Sequence, residues 1–138
     1  MERMIRKIEH IGIAVRSIEE SLKLFEGLFK LKPVEILEIP EWEVRAAMID
    51  AGNVIIELLE PMGDDSSIAR FLDKRGEGVH HIALGVTDIE DALENLRARG
   101  IELVTPEPYQ GAHGRKVAFL SPKSCRGVLI ELCEVVEE

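Results

Sequence analysis

Apolar residues alternate with small or polar residues in two stretches that lie half a chain apart. Residues 8–15 read IEHIGIAV and residues 79–86 read VHHIALGV. Both are rich in the branched aliphatic side chains that favour strands. After each stretch the apolar positions are three or four residues apart, at Ile18, Leu22 and Phe25 in the first and at Ile89, Leu93 and Leu96 in the second. This change of period predicts a strand followed by an amphipathic helix, twice.

The chain contains an internal duplication. Residues 8–25 and 79–96 share six identical positions, and a later match pairs NVIIELLE at 53–60 with GVLIELCE at 127–134. Capping signals support both helix starts, with Ser17 followed by Glu20 and Asp88 followed by Asp91. Further short apolar runs predict strands at 34–39, 44–50 and 54–60 in the first half, and at 102–105, 116–120 and 128–133 in the second.

These elements predict an α+β fold built as a tandem duplication of β-α-β-β-β modules. The modules span residues 7–61 and 78–134, within a single domain 1–138. The linker 62–77 carries a candidate short helix, which Asp65 or Ser66 would cap and whose apolar face would hold Ile68, Phe71 and Leu72. We expect no separate domain in the linker.

Strand alternation singles out four polar side chains. On the first strand His10, Gly12 and Ala14 share the face opposite the apolar residues, and His81, Ala83 and Gly85 repeat this on the second copy. A histidine followed by two small residues predicts the wall of an open cavity in both copies. Glu57 and Glu131 lie between aliphatic neighbours in the matched late strands, where burying a carboxylate is costly without a cation or hydrogen bonds. A lone His or Glu in a strand is usually structural. Two matched pairs favour a metal site formed where the modules meet.

Composition excludes some classes of function. The net charge of −9 argues against a nucleic-acid partner, because phosphate binding needs clustered Lys and Arg. No apolar run is long enough for a membrane helix, and MERMIRKIEH lacks the apolar core of a secretory signal. We therefore expect a cytoplasmic protein without membrane contact. Cys125 and Cys133 lack metal-site spacing and are expected to be reduced and at least partly buried.

Other polar candidates have simpler interpretations. His80 must point away from the His81 face in a regular strand, so it is expected to have a structural role or to support a metal ligand. His113, in the loop GAHGR, is a turn histidine or a substrate contact. The acidic helix faces are expected to be solvated surface; they carry Glu19, Glu20, Glu90, Asp91 and Glu94.

Several longer motifs resemble one family. They are IEHIGIAV at 8–15, IELLEP at 56–61, DSSIARFL at 65–72, GVHHIAL at 78–84, GAHG at 111–114 and FLSPKSCRGVLIEL at 119–132. The duplicated module resembles the vicinal-oxygen-chelate superfamily, which includes glyoxalase I, and the motifs are similar to its methylmalonyl-CoA epimerases over residues 7–134. The resemblance implies epimerisation of an acyl-CoA through an enolate stabilised by a metal ion.

The resemblance also implies roles for individual residues. The family's metal ligands fall on His10, Glu57, His81 and Glu131, with Gln in place of Glu57 in some relatives. It implies one divalent cation, with cobalt favoured over manganese, nickel or zinc, and a homodimer. Glu131 is expected to transfer the proton, and His113, Lys123 and Ser124 are candidate substrate contacts.

The chain departs from the family pattern before the third strand. Many epimerases have PEQGV there, whereas this chain has Pro40-Glu41-Trp42-Glu43-Val44. A carboxylate proposed as the second acid or base in some relatives aligns with Ala46. The second proton donor is therefore open, and Glu43 is a candidate to replace it.

Three alternatives share the fold. A lyase similar to glyoxalase I, acting on a glutathione adduct, would use the same metal and an enediolate, so the ligands alone do not exclude it. An extradiol dioxygenase needs two His, one carboxylate and more open iron positions, which four protein ligands disfavour. A metal-free ligand-binding or resistance protein would leave all four matched polar residues without a role.

Overall fold

The computed structural model describes residues 3–136, so the ends of the predicted domain 1–138 lie outside the described residues. The chain divides into two compact units. One unit is His10–His80. The other is formed by the chain before His10 together with the chain from His81 onward. The N-terminal segment joins the later unit because Met4 and Ile5 pack on its apolar core and the Arg6 N–H donates to the Gly85 carbonyl at 2.8 Å.

The first unit follows the predicted module. Its elements are β1 (Lys7–Ala14, of which the residues before His10 belong to the other unit), α1 (Ile18–Leu22), β2 (Pro33–Ile39), β3 (Val44–Asp50), β4 (Ile55–Pro61) and the linker helix α2 (Ser67–Arg75). The strand order is β2-β3-β4-β1. The β1–β4 pair is parallel and the other two pairs are antiparallel. The first strand of the module therefore lies beside its last.

The second unit repeats this arrangement. It contains β5 (Gly78–Val86), α3 (Ile89–Ala98), β6 (Tyr109–Gln110), β7 (Lys116–Leu120) and β8 (Ile130–Glu134). The order is β5-β8-β7-β6, with β5 and β8 parallel and the other pairs antiparallel. Two matched four-stranded arrangements confirm the predicted duplication of β-α-β-β-β modules.

The predicted strand at 102–105 is wrong. Leu103 makes only an isolated bridge to Leu120, and the short strand of this region is β6 at Tyr109–Gln110. Pro106 and Pro108 lie between the two segments. Because proline has no backbone N–H to give to a ladder, the pairing stops there and resumes only after the second proline.

Helix α1 is shorter than the periodicity predicted. After Leu22 the chain continues as a π-helical segment at Lys23–Leu28, in which the Phe29 N–H donates to the Leu24 carbonyl at 2.9 Å. The wider turn changes which side chains face the sheet, so Phe25 still packs against the core whereas Leu28 is 74% exposed.

The two faces of the first sheet are both covered. Helix α1 packs on one face, where its Ile18 contacts a cluster that contains Ala47, Ile49 and Leu58. The linker helix α2 packs on the other through a cluster that contains Ala14, Val44, Ala46, Leu59, Ile68 and Leu72. Gly12 and Ala14 were predicted to line an open wall with His10; Ala14 is instead fully buried in this cluster. Small residues here allow close packing of the linker helix.

A second glutamate in each late strand supports the helix that follows the first strand. Glu60 accepts from the Ile18 N–H at 3.4 Å, and Glu134 accepts from the Ile89 N–H at 3.1 Å. The Ser17 hydroxyl and the Asp88 carboxylate accept from the backbone N–H three residues later. Oxygen acceptors satisfy N–H groups that have no partner within the helix. Both copies therefore begin their helix in the same way.

Candidate active site

The first half of the site is a histidine and a glutamate on neighbouring parallel strands. The register of β1 and β4 places Gly12 opposite Glu57, with His10 two residues earlier on the same face. His10 Nε2 lies 3.7 Å from Glu57 Oε1. Both residues are buried, with 7% of each exposed.

The second half has the same construction with a shorter separation. Ala83 on β5 lies opposite Glu131 on β8, and His81 is two residues before Ala83. His81 Nε2 lies 3.1 Å from Glu131 Oε1, and both residues are buried. The His81 ring packs edge-on against Phe119, whose centroid is 5.7 Å away. Phe119 pairs directly with Glu131, so an aromatic residue is the neighbour of this carboxylate on β7.

The donor set of each half fits a divalent cation. Each half presents an imidazole nitrogen and a carboxylate oxygen in a buried position, and this mixture suits cobalt, manganese, nickel or zinc. A buried carboxylate also needs positive charge or hydrogen bonds to offset its desolvation. A cation held by these side chains would offset that cost in both halves.

A second group of acids has a structural use instead. Asp88, Glu90 and Glu134 lie close enough together to suggest another cation site, but Asp88 and Glu90 are exposed. The carboxylates of Asp88 and Glu134 accept backbone N–H groups at the start of α3, and Glu90 pairs with Lys116 at 2.7 Å. Helix capping and the ion pair account for this cluster.

Side chains around Glu131 form a mixed polar and apolar wall. Tyr109 pairs with Val117, which pairs with Cys133, so all three share the face of Glu131. Burial and the charge of Glu131 raise the pKa of the Tyr109 hydroxyl. Burial likewise raises the pKa of the Cys133 thiol to about 11. Arg115 Nη1 lies 3.0 Å from a Glu9 carboxylate oxygen and 3.9 Å from the Cys133 sulfur.

Sequence reasoning did not single out Tyr109 or Arg115. Tyr109 follows two prolines, in a segment without a strand pattern. Arg115 is next to GAHG, but nothing in the sequence pairs it with Glu9. The register of β6, β7 and β8 brings Tyr109 to the Glu131 face, and Arg115 is placed by its contacts with Glu9 and Cys133.

On strand β3, the neighbours on the Glu57 face are apolar. Met48 is directly opposite Glu57 on β3, and Ala46 is opposite Leu59. Ala46 is fully buried in the cluster under the linker helix. The position that carries a carboxylate in some relatives is therefore part of the apolar packing in this chain.

Glu43 is poorly placed to replace the missing carboxylate. Its carbonyl accepts from the Met62 N–H at 2.7 Å, beyond the end of β4. Met62 is five residues past Glu57 along the chain, or about 17 Å in an extended strand. The Glu43 carboxylate folds over Gly63 instead. Glu43 also adopts φ 53°, a left-handed conformation that favours glycine, which explains the Gly in the related PEQGV motif.

The predicted substrate contacts lie on the surface of the second unit. His113 is exposed in a turn with φ 63°, and Lys123 is exposed in a short turn at Pro122–Ser124. The Ser124 hydroxyl accepts from the Glu102 N–H at 2.9 Å, so it has a structural role. His80 packs edge-on against Phe71 of α2, at 5.0 Å between ring centres, which agrees with its predicted structural role.

Comparison with known families identifies the fold. The family model described as the Glyoxalase/Bleomycin resistance protein/Dioxygenase superfamily matches residues 9–119. The chain belongs to this superfamily. The vicinal-oxygen-chelate fold expected from the sequence motifs is therefore confirmed.

Individual members of the superfamily are similar over nearly the whole chain. The mitochondrial methylmalonyl-CoA epimerase of Dictyostelium discoideum is 41% identical over 94% of this chain and 79% of its own length. A hypothetical protein of Bacillus halodurans C-125 has a crystal structure with 46% identity and a TM-score of 0.92, covering 96% of each chain. A Streptomyces coelicolor methylmalonyl-CoA epimerase variant in complex with 2-nitronate-propionyl-CoA is 34% identical, with a TM-score of 0.88 over 96% of this chain and 99% of that one.

Among residues 3–136, no helix combines the length and the apolar character that crossing a bilayer requires.

Proposed function

We propose that this chain is a methylmalonyl-CoA epimerase, which interconverts the two epimers of the substrate by removing and returning the proton on its α-carbon. The observation that carries this proposal is the 41% identity to an enzyme of that name, over 94% of the chain. The buried His–Glu pair found in each half supports it.

The proposed metal ligands are His10, Glu57, His81 and Glu131. They occupy matched positions of the duplication, and each half holds its histidine nitrogen within 4 Å of its carboxylate oxygen. We propose one divalent cation per chain, with cobalt favoured and manganese, nickel or zinc as substitutes. When bound, the cation supplies a Lewis acid that stabilises the negative charge of the enolate.

Glu131 is the proposed proton-transfer residue. Its carboxylate is buried beside the apolar edge of Phe119, where water competes little for it. It takes the proton from the α-carbon, and the electron pair of the broken C–H bond delocalises onto the thioester oxygen. Return of a proton to the opposite face completes the inversion.

The acyl-CoA is the proposed small-molecule partner. His113 and Lys123 are exposed on turns, where they are accessible to the CoA part of the substrate. Ser124 remains a weaker candidate, because its hydroxyl already accepts a backbone hydrogen bond. An epimerase acting on this ester would serve propionate metabolism.

The proposed assembly is a homodimer in the cytoplasm. Exposed apolar side chains on the first unit, including Leu28, Phe29 and Val34, offer a surface for a second copy. Cys125 and Cys133 are both free thiols, which suits a reducing compartment.

The function is tested by proton exchange in deuterium oxide. Metal-stripped protein, reloaded with cobalt, is incubated with methylmalonyl-CoA, and deuterium at the α-carbon is followed by mass spectrometry. We expect incorporation that depends on the metal and is lost in Glu131→Ala. No exchange with cobalt, manganese, nickel or zinc would contradict the epimerase assignment. The glutathione hemithioacetal of methylglyoxal would then be assayed for lyase activity.

A further inference from the structure

The side chain of Tyr109 lies on the face of the second unit that carries Glu131. Tyr109 on β6 is directly opposite Val117 on β7, and Val117 is directly opposite Cys133 on β8. Directly opposed residues of antiparallel strands project on the same side of a sheet, and Cys133 is two residues after Glu131 on its own strand. The register therefore places a phenol and the proposed base on one face, within one compact unit.

A tight hairpin fixes the position of the Tyr109 backbone. Directly after the two residues of β6, the Gly111 N–H donates to the Arg115 carbonyl at 2.7 Å. A Cβ atom at Gly111 would lie 3.1 Å from Cγ1 of Val117, so a side chain there would crowd the residue that pairs with Tyr109. The glycine therefore allows the close approach of β6 to β7, and this pairing holds Tyr109 in place.

The surroundings of the Tyr109 hydroxyl keep it protonated. Burial raises its pKa, and the negative charge of Glu131 raises the pKa further. A tyrosine hydroxyl that keeps its proton can donate a hydrogen bond. The side chain is only half-buried, so part of it is open to a ligand that lies against Glu131.

Other side chains on this face are less suited to donate a hydrogen bond to a ligand. Val117 and Phe119 carry no polar atom. The thiol of Cys133 is a weak donor and belongs to a buried residue. The Arg115 guanidinium already forms an ion pair at 3.0 Å. Tyr109 is therefore the stronger candidate for a contact with the substrate.

We propose that Tyr109 is a further catalytic residue, whose hydroxyl donates a hydrogen bond to the substrate oxygen that becomes negative in the enolate. This inference rests on the proposed function, in which Glu131 takes the α-proton. The electron pair of the broken C–H bond moves to an oxygen only two bonds from that carbon, so negative charge develops close to Glu131. A hydrogen-bond donor already in place stabilises such charge. The hydroxyl keeps its proton throughout, so the proton balance of the reaction is unchanged.

Tyr109→Phe tests the hydroxyl, because it removes one oxygen and keeps the ring. In cobalt-loaded protein, kcat for deuterium incorporation into methylmalonyl-CoA should fall by about 10²–10³-fold. KM should change little, because the hydrogen bond strengthens only as the enolate forms. Gln110→Ala is the matched control. Gln110 is the exposed neighbour on β6, and it faces the other side of the sheet, so this variant should keep the wild-type kcat.

A second measurement uses the fact that Tyr109 is the single tyrosine of the chain. Zinc-loaded protein labelled with fluorotyrosine gives one fluorine NMR resonance, and the substrate is not consumed, because the reaction only interconverts two epimers. We expect methylmalonyl-CoA to shift this resonance clearly more than CoA, which lacks the acyl group.

Three results would overturn the role of Tyr109 while the epimerase function stands. They are a wild-type kcat in Tyr109→Phe, equal losses of kcat in Tyr109→Phe and Gln110→Ala, and a resonance that methylmalonyl-CoA shifts no more than CoA does. Wild-type protein that incorporates no deuterium would overturn the proposed function, and this inference with it.

Discussion

The two halves of the chain agree in how they hold their polar pair and differ in what surrounds it. In each half a first strand and a last strand run parallel and bring a histidine beside a glutamate. A second glutamate, three residues later, supports the start of the following helix in both. A basic residue at the same repeat position, Arg45 or Lys116, pairs with the first turn of that helix.

The residues around the His–Glu pair differ between the two halves. The Glu57 face is covered at one end by the linker helix and has a long outer strand, β2. The Glu131 face has Phe119, Tyr109 and Cys133, and its outer strand β6 has only two residues. The duplication thus preserves the proposed ligand positions, while the residues that would direct the chemistry differ between halves.

The largest expected difference is between variants of the two matched glutamates, Glu131 and Glu57. Glu131→Gln should lower the rate of α-proton exchange by about 10²–10⁴-fold, because it removes the proposed base. Glu57→Gln should keep most of the activity, because an amide oxygen can still act as a ligand. Cobalt-loaded variants are compared by deuterium incorporation. Equal losses would show that the two carboxylates have equivalent roles.

The loss of a core side chain should lower the free energy of unfolding by a similar amount in both halves. Leu58 and Leu132 occupy matched positions and are fully buried, each in the apolar cluster of its own unit. Replacing either by Ala should lower the free energy of unfolding by about 2–5 kcal/mol, because a cavity is left. Urea unfolding followed by circular dichroism measures this, with the partly exposed Leu24→Ala as the control. A large loss of stability in only one of the two variants would contradict the structural equivalence of Leu58 and Leu132.

Helix caps give a smaller effect. Ser17→Ala and Asp88→Ala each remove a side-chain acceptor for a backbone N–H in the first turn. Each should lower the free energy of unfolding by about 0.5–2 kcal/mol. The same urea experiment measures both. If Ser17→Ala had no effect, Glu60 alone would be sufficient to support α1.

The smallest effect concerns the surface ion pairs and their pH dependence. A hydrogen bond from Lys116 lowers the pKa of Glu90, and one from Arg45 lowers that of Glu19. A carboxyl whose pKa is lower in the folded state stabilises the fold above its unfolded pKa, and this contribution disappears as the pH falls through the folded pKa.

Glu90→Gln should therefore reduce Tm slightly at neutral pH and leave it unchanged in strong acid, where the wild-type carboxyl is protonated. Thermal unfolding across the acid range measures the difference, with Glu94→Gln, an exposed acid on the same helix, as the control. If the difference in Tm between Glu90→Gln and the wild type grew as the pH fell, the result would contradict the lowered pKa assigned to Glu90.

Many strand bounds and helix caps were predictable because short stretches of sequence specify them. The bounds of β3 and β7 match the predicted ranges 44–50 and 116–120, and Ser17, Ser66 and Asp88 cap their helices as the sequence indicated. The placement of His10 with Glu57 and of His81 with Glu131 followed from strand alternation and the repeat.

The remaining features depend on contacts between distant segments. The two-residue strand β6 has no pattern of its own and exists because β7 pairs with it. The burial of Ala14 depends on how α2 packs, which a small residue permits but does not specify. The placement of Tyr109 on the Glu131 face requires the register of three strands. A change of one residue in that register would turn Tyr109 to the other face.

The central proposal is that the four proposed ligands bind one metal ion, and metal stoichiometry tests it most directly. Purified protein is stripped, titrated with cobalt and analysed by elemental mass spectrometry, alongside His10→Ala and His81→Ala. The account predicts one cobalt per chain in the wild type and a strong loss of binding in both variants, although they lie in different halves. Two ions per chain, or a histidine variant that keeps full binding, would contradict it.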